Sequence, residues 1–94
     1  MIFNEFQEKI LSQMTSDIQN FRNGELSYFD LVYNLEGSLD TGEFKDENFT
    51  YQWYDFWTPL EILYATKGNN VTFQEADIYL KNMESFLKSI SFDK

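Results

Sequence analysis

Hydrophobic residues recur along this chain at steps of three and four, which is the spacing of one face of an α-helix. Over residues 2 to 22 the apolar positions are Ile2, Phe3, Phe6, Ile10, Met14, Ile18 and Phe21. A stripe of this kind predicts an amphipathic helix. Asn23-Gly24 follows it and is typical of a helix end, because glycine adopts the left-handed backbone conformation that terminates many helices.

A second helix is predicted from about Tyr28 to Leu39. Ser27 lies three residues before Asp30, so its hydroxyl can accept a hydrogen bond from the third backbone amide of a new helix. The following residues, 40 to 47, are polar, short of β-branched side chains and centred on glycine. This composition predicts a loop between the second and third helices.

The third helix is predicted to be kinked or broken at Pro59. From Phe49 onwards the apolar residues again follow helical spacing, but an interior proline removes one backbone hydrogen bond and clashes with the carbonyl of Asp55. Thr58-Pro59-Leu60-Glu61 also matches the start of a new helix, with a cap, a proline at the first position and a glutamate at the third. We therefore expect two short helices here.

A last helix is predicted after Gly68-Asn69-Asn70, since Thr72 and Glu75 have the spacing of a capping box. Its stripe consists of Phe73, Ala76, Tyr79, Leu80, Met83, Phe86, Leu87 and Ile90. No run of residues alternates in the manner of a β-strand. The sequence thus predicts an all-α fold, with residues 1–94 forming a single small bundle of four main helices.

Candidate catalytic and metal-binding chemistry is sparse. The chain has no cysteine and no histidine, which excludes thiolate chemistry, disulfides and the commonest general base. Asp55 and Glu61 form the best candidate carboxylate pair, but such carboxylates are more often solvated charges on a helix surface. A calcium loop starting at Asp40 fails, because Gly42 would take a ligand position and Tyr51 the last one. We predict neither enzymatic activity nor a metal or other cofactor.

Charge is the most informative feature. The net charge is −9, and residues 25 to 61 hold nine acidic residues against Lys45 alone. Such a field repels nucleic acid and anionic lipid, so direct binding to either is not expected, whereas a basic protein is the natural partner. The N-terminus lacks a signal peptide pattern and no stretch is apolar enough to span a membrane, which predicts a cytoplasmic protein.

The same segment holds ten of the eighteen aromatic residues. Helical phase sends Trp53 inward and places Tyr51 and Tyr54 toward the other side of the third helix. Tyrosine beside carboxylate suits a protein interface, because it offers large contact area at low entropic cost. Alternatively, these tyrosines are peripheral core and the acids only maintain solubility. The predicted partner-binding residues are Glu36, Asp40, Glu43, Asp46, Glu47, Tyr51, Tyr54 and Asp55.

The segment Phe21-Arg22-Asn23-Gly24-Glu25-Leu26-Ser27-Tyr28-Phe29-Asp30-Leu31-Val32-Tyr33 is similar to the helix, glycine turn and helix that open helical immunity proteins against tRNA-cleaving toxins. In size, acidity and lack of cysteine the whole chain resembles bacterial immunity proteins of the colicin or contact-dependent growth inhibition type. The resemblance implies a cognate nuclease toxin, with a tRNase as one candidate, whose nucleic-acid-binding cleft or active site the acidic face would cover. The sequence departs from the motifs of the nuclease-colicin immunity proteins, so the predicted interface follows from charge and phase.

Two other functions compete with this interpretation. An acidic mimic of DNA would bind a regulator or a restriction enzyme, and would compete with DNA for several unrelated basic proteins. An enzyme using Asp55 and Glu61 would show a bell-shaped pH profile that disappears in either carboxamide variant.

Overall fold

A computed structural model describes residues 3–91, which form four α-helices. These are α1 (Glu5–Arg22), α2 (Tyr28–Gly42), α3 (Glu47–Lys67) and α4 (Phe73–Ser91), with a 3-10 turn at Gly68–Asn70 between the last two. The described part of the chain contains no β-strand, so the predicted all-α class with four main helices is confirmed. Ile2, the first residue of the predicted stripe, lies outside the described residues.

The helices pack in a closed ring. Each contacts its neighbour in sequence, and α1 also contacts α4. Because the connections are short, consecutive helices run in opposite directions, as in other up-and-down bundles. Their shared interior is built from side chains with no exposed surface, which are Met14, Ile18, Leu31, Leu35, Phe49, Trp53, Leu60, Ala76 and Met83.

Side-chain caps fix where the helices begin. The predicted caps at Ser27 and Thr72 are confirmed, since each hydroxyl accepts a hydrogen bond from the amide three residues later, at 3.1 and 3.2 Å. α1 has a reciprocal capping box that the sequence interpretation missed. In it the Asn4 side chain accepts a hydrogen bond from the backbone N–H of Gln7 at 2.7 Å. The Gln7 side chain in turn accepts one from the backbone N–H of Asn4 at 3.1 Å.

The loop predicted over residues 40 to 47 is shorter than expected. α2 continues to Gly42, α3 begins at Glu47, and only residues 43 to 46 connect them. Gly42 is buried, and a Cβ atom on it would lie 2.2 Å from Cε2 of Phe44, so the chain turns tightly there. Glu43 follows with a left-handed backbone (φ +49°), and Asp46 caps α3 by accepting a hydrogen bond from the Phe49 amide at 3.1 Å.

α3 runs through Pro59 as one helix, so the predicted break into two short helices is wrong, whereas a kink is compatible with a continuous helix. Proline removes one backbone hydrogen bond, while burial of Trp53, Trp57 and Leu60 holds both halves of α3 against the other helices. The carbonyl that loses its partner belongs to Asp55, which is an exposed residue.

Candidate partner-binding surface

Tyr54 joins the facing sides of α2 and α3. Its ring packs edge-on against Trp53 and Trp57, with centroids 5.1 and 5.6 Å away. Its hydroxyl donates a hydrogen bond to Oε2 of Glu36 at 3.1 Å. Tyr54 is therefore peripheral core through its ring, as the alternative interpretation held, while its polar end reaches an acidic side chain of the neighbouring helix.

Three carboxylates act on that hydroxyl, and one of them, Glu36, accepts its hydrogen bond. Burial raises the pKa of Tyr54 most, and the hydrogen bond to Glu36 raises it further, together with the negative charges of Glu36, Asp40 and Glu61. Asp40 and Glu61 thus lie close enough for their charges to act on this hydroxyl. We call the set Glu36, Asp40, Tyr54 and Glu61 the acidic groove.

Glu61 was not among the predicted partner-binding residues. The sequence interpretation missed it because Pro59 and Glu61 match the start of a new helix, in which Glu61 would serve as the cap partner. Once α3 is continuous, Glu61 follows Tyr54 by seven residues, which is two helical turns on the same side. This spacing of seven residues could have identified Glu61 from the sequence.

Three predicted residues lie where α2 passes into α3. Glu43 ends α2, Asp46 caps α3 and Glu47 stands in the first turn of α3, and all three are exposed. The carboxylate of Asp46 is engaged with the Phe49 amide, so part of its role is structural. Glu47 stabilises the positive end of the α3 dipole.

The remaining two predicted residues lie on the outer side of α3. Tyr51 is 70% exposed, and Asp55 is also exposed. An aromatic cluster that the sequence interpretation did not single out extends the same pair of helices, since Phe29 contacts Tyr33 at 4.6 Å and Tyr64 at 5.4 Å between ring centroids. Tyr33 is 67% exposed, so α2 and α3 each carry one exposed tyrosine.

The ion pairs all lie elsewhere. Every ion pair among the described residues uses an acid of α4, and the pairs are Arg22–Asp77 (3.2 Å), Arg22–Glu84 (2.5 Å), Lys81–Asp77 (3.0 Å) and Lys67–Glu75. No acid of α2 or α3 is paired within the described chain. Three basic side chains, those of Arg22, Lys67 and Lys81, therefore pair with acids of α4, whereas the carboxylates of α2 and α3 form no ion pair with a described residue.

Within residues 3–91 no three acidic side chains are grouped so as to hold a metal ion, and none of the helices is long and apolar enough to cross a membrane. Comparison with known protein families, with curated proteins and with solved structures finds no match.

Proposed function

We propose that this chain is an acidic, cytoplasmic immunity protein that binds a cognate basic nuclease toxin, with a tRNase as one candidate, and neutralises it. The surface of α2 and α3 would cover the nucleic-acid-binding cleft or active site of the toxin. The observation that carries the proposal is the separation of charge. Acids of α4 pair with Arg22, Lys67 and Lys81, whereas those of α2 and α3 form no ion pair with any described residue.

Carboxylates and tyrosines would contribute to binding in different ways. Uncompensated carboxylates attract a cationic surface and accept bidentate hydrogen bonds from arginine. Tyr51 and Tyr33 are exposed and would supply contact area near the carboxylates. Tyr54 is held by Glu36, so the groove between the two helices would present its acids in a fixed arrangement.

Charge reversal in the groove tests this function. The toxin would be isolated by affinity capture from the source bacterium at low salt and then assayed for nuclease activity with the purified protein. The double variant Glu36→Lys/Asp40→Lys should slow association with that toxin about tenfold or more and flatten its salt dependence, because steering is lost. Inhibition of the nuclease should weaken in parallel.

A matched control separates local from total charge. Glu5→Lys/Glu25→Lys makes the same change in net charge with exposed acids outside the groove. This control should keep most of the association rate. Equal losses in the two double variants would show that only net charge matters, and the groove would then not be the interface.

Selectivity separates the immunity function from a DNA mimic, because both would use the same unpaired acids. An immunity protein should inhibit one toxin and leave unrelated DNA-binding proteins alone. Competition with duplex DNA for several such proteins would favour the mimic.

A further inference from the structure

Asp17 is the one buried charged residue in the described chain, with 6% of its surface exposed. It stands on α1 between Met14 and Ile18, both completely buried. Its Oδ1 atom accepts a hydrogen bond from Nε2 of Gln13 at 3.0 Å, and it forms no ion pair with any described residue. A carboxylate withdrawn from water is normally matched by a cation or by several donors. Among the described residues, the hydrogen-bond partner of this carboxylate is a neutral amide, that of Gln13.

Asp17 lines a groove between α1 and α2 with a volume of about 380 Å³. The other polar side chains of this groove are Gln13, Tyr33, Asn34, Ser38 and Thr41, and no basic residue lines it. Amide and hydroxyl oxygens are hydrogen-bond acceptors that suit a ligand rich in N–H groups. The groove thus combines one anion with several neutral acceptors and lacks a cation.

Gly37 gives a second, independent indication. It lies inside α2 and is exposed, and a Cβ atom placed on it would meet nothing within 4 Å. Neither packing nor backbone conformation therefore requires glycine, although glycine disfavours a helix interior. A glycine of this kind allows a ligand to approach the helix backbone closely. Gly37 lines the same groove as Asp17.

We infer that the groove between α1 and α2 is a binding site for the guanidinium group of an arginine side chain, with Asp17 as its counter-ion. The planar guanidinium carries five N–H donors, which can pair with a carboxylate and still reach surrounding amide and hydroxyl oxygens. That the arginine belongs to the bound partner rests on the proposed function. In that case the partner would lie across α2. It would contact the acidic groove on the α3 side of that helix and the arginine site on the α1 side.

The site is tested with a small probe and without the toxin. N-acetyl-arginine amide would be titrated into the full chain while amide resonances are followed by NMR. We expect shifts centred on Asp17, Asn34 and Gly37, with weaker binding of N-acetyl-lysine amide because an ammonium has fewer donors. Shifts confined to the acidic groove, or equal binding of both probes, would overturn the assignment.

Variants with opposite expected effects on probe affinity distinguish loss of the site from misfolding. Asp17→Asn should weaken binding of the arginine probe about tenfold or more, as expected for loss of a charge-assisted hydrogen bond. Gly37→Ala should also weaken it while raising the melting temperature. Asn34→Asp adds a second carboxylate and should tighten binding, which damage to the fold cannot do. Glu5→Gln, an exposed acid of α1 outside the groove, should leave it unchanged.

The two proposals fail separately. Unchanged probe binding in Asp17→Asn would refute the arginine site and leave the toxin experiment untouched. Conversely, an arginine site that responds as expected would survive a negative result for Glu36→Lys/Asp40→Lys.

Discussion

The buried hydroxyl of Tyr28 donates a hydrogen bond to the backbone carbonyl oxygen of Leu60 at 2.7 Å, which ties the first turn of α2 to α3 one residue beyond Pro59. Tyr28 is 2% exposed and Leu60 is completely buried. This contact helps to hold α3 in place where its own backbone hydrogen bonding is interrupted.

Tyr28→Phe should lower the free energy of unfolding by about 1 kcal/mol, because the ring packing stays and one buried hydrogen bond is lost. Urea unfolding followed by circular dichroism measures the change. Tyr51→Phe is the control, since Tyr51 is 70% exposed, and its stability should stay within about 0.5 kcal/mol of the original chain. Equal effects of the two substitutions would mean that the Tyr28 hydroxyl contributes nothing.

Stability should fall at alkaline pH. Burial raises the pKa of Tyr28 above its ordinary value of 10.0. The folded chain therefore keeps this proton where the unfolded chain has lost it, so the free energy of unfolding decreases as pH rises above about 10. Tyr54 adds to the decline, because burial and then Glu36 raise its pKa. Urea unfolding on both sides of this pH should show a smaller decline in Tyr28→Phe, and an unchanged decline would assign the effect to other groups.

Pro59→Ala should raise the free energy of unfolding by about 1–2 kcal/mol, since it restores a helical hydrogen bond and loses only part of that gain to the more flexible unfolded chain. α3 is already continuous at this position, so the helix content of the folded protein should hardly change. Circular dichroism and urea unfolding test both statements. A large rise in helix content would show that α3 is interrupted at Pro59 in solution.

The glycines should respond to alanine with different signs. Gly37→Ala should stabilise the protein by about 0.5–1 kcal/mol, because its surroundings are open and alanine favours the helix. Gly24→Ala should destabilise it, since Gly24 has a φ of +77° that an L side chain rarely adopts. Gly42→Ala should destabilise it by overlap with the ring of Phe44. Thermal unfolding of the three variants checks the order, and a destabilised Gly37→Ala would show that the fold itself needs this glycine.

The positions of the helices were determined largely by the sequence, because the signals that set them are local. Stripe periodicity and the caps at Ser27 and Thr72 act within one or two turns, so they can be identified before anything is known of the packing. The predicted break of the third helix at Pro59 was wrong for the opposite reason. Its local preference for a helix start is outweighed by burial of Trp53 and Trp57 against distant parts of the chain.

The concentration of acids in the middle of the chain was likewise determined by the sequence, since charges can be counted along it. Only the packing of the helices decided which acids meet. The charges of Glu36 and Glu61 both act on Tyr54 because α2 lies beside α3, and Arg22 pairs with Asp77 and Glu84 because α1 faces α4. Asp17 lies within the apolar stripe of α1, but its groove exists only where α2 closes over one side of that helix. Helical phase gives the direction of a side chain, and the neighbouring helix decides what it meets.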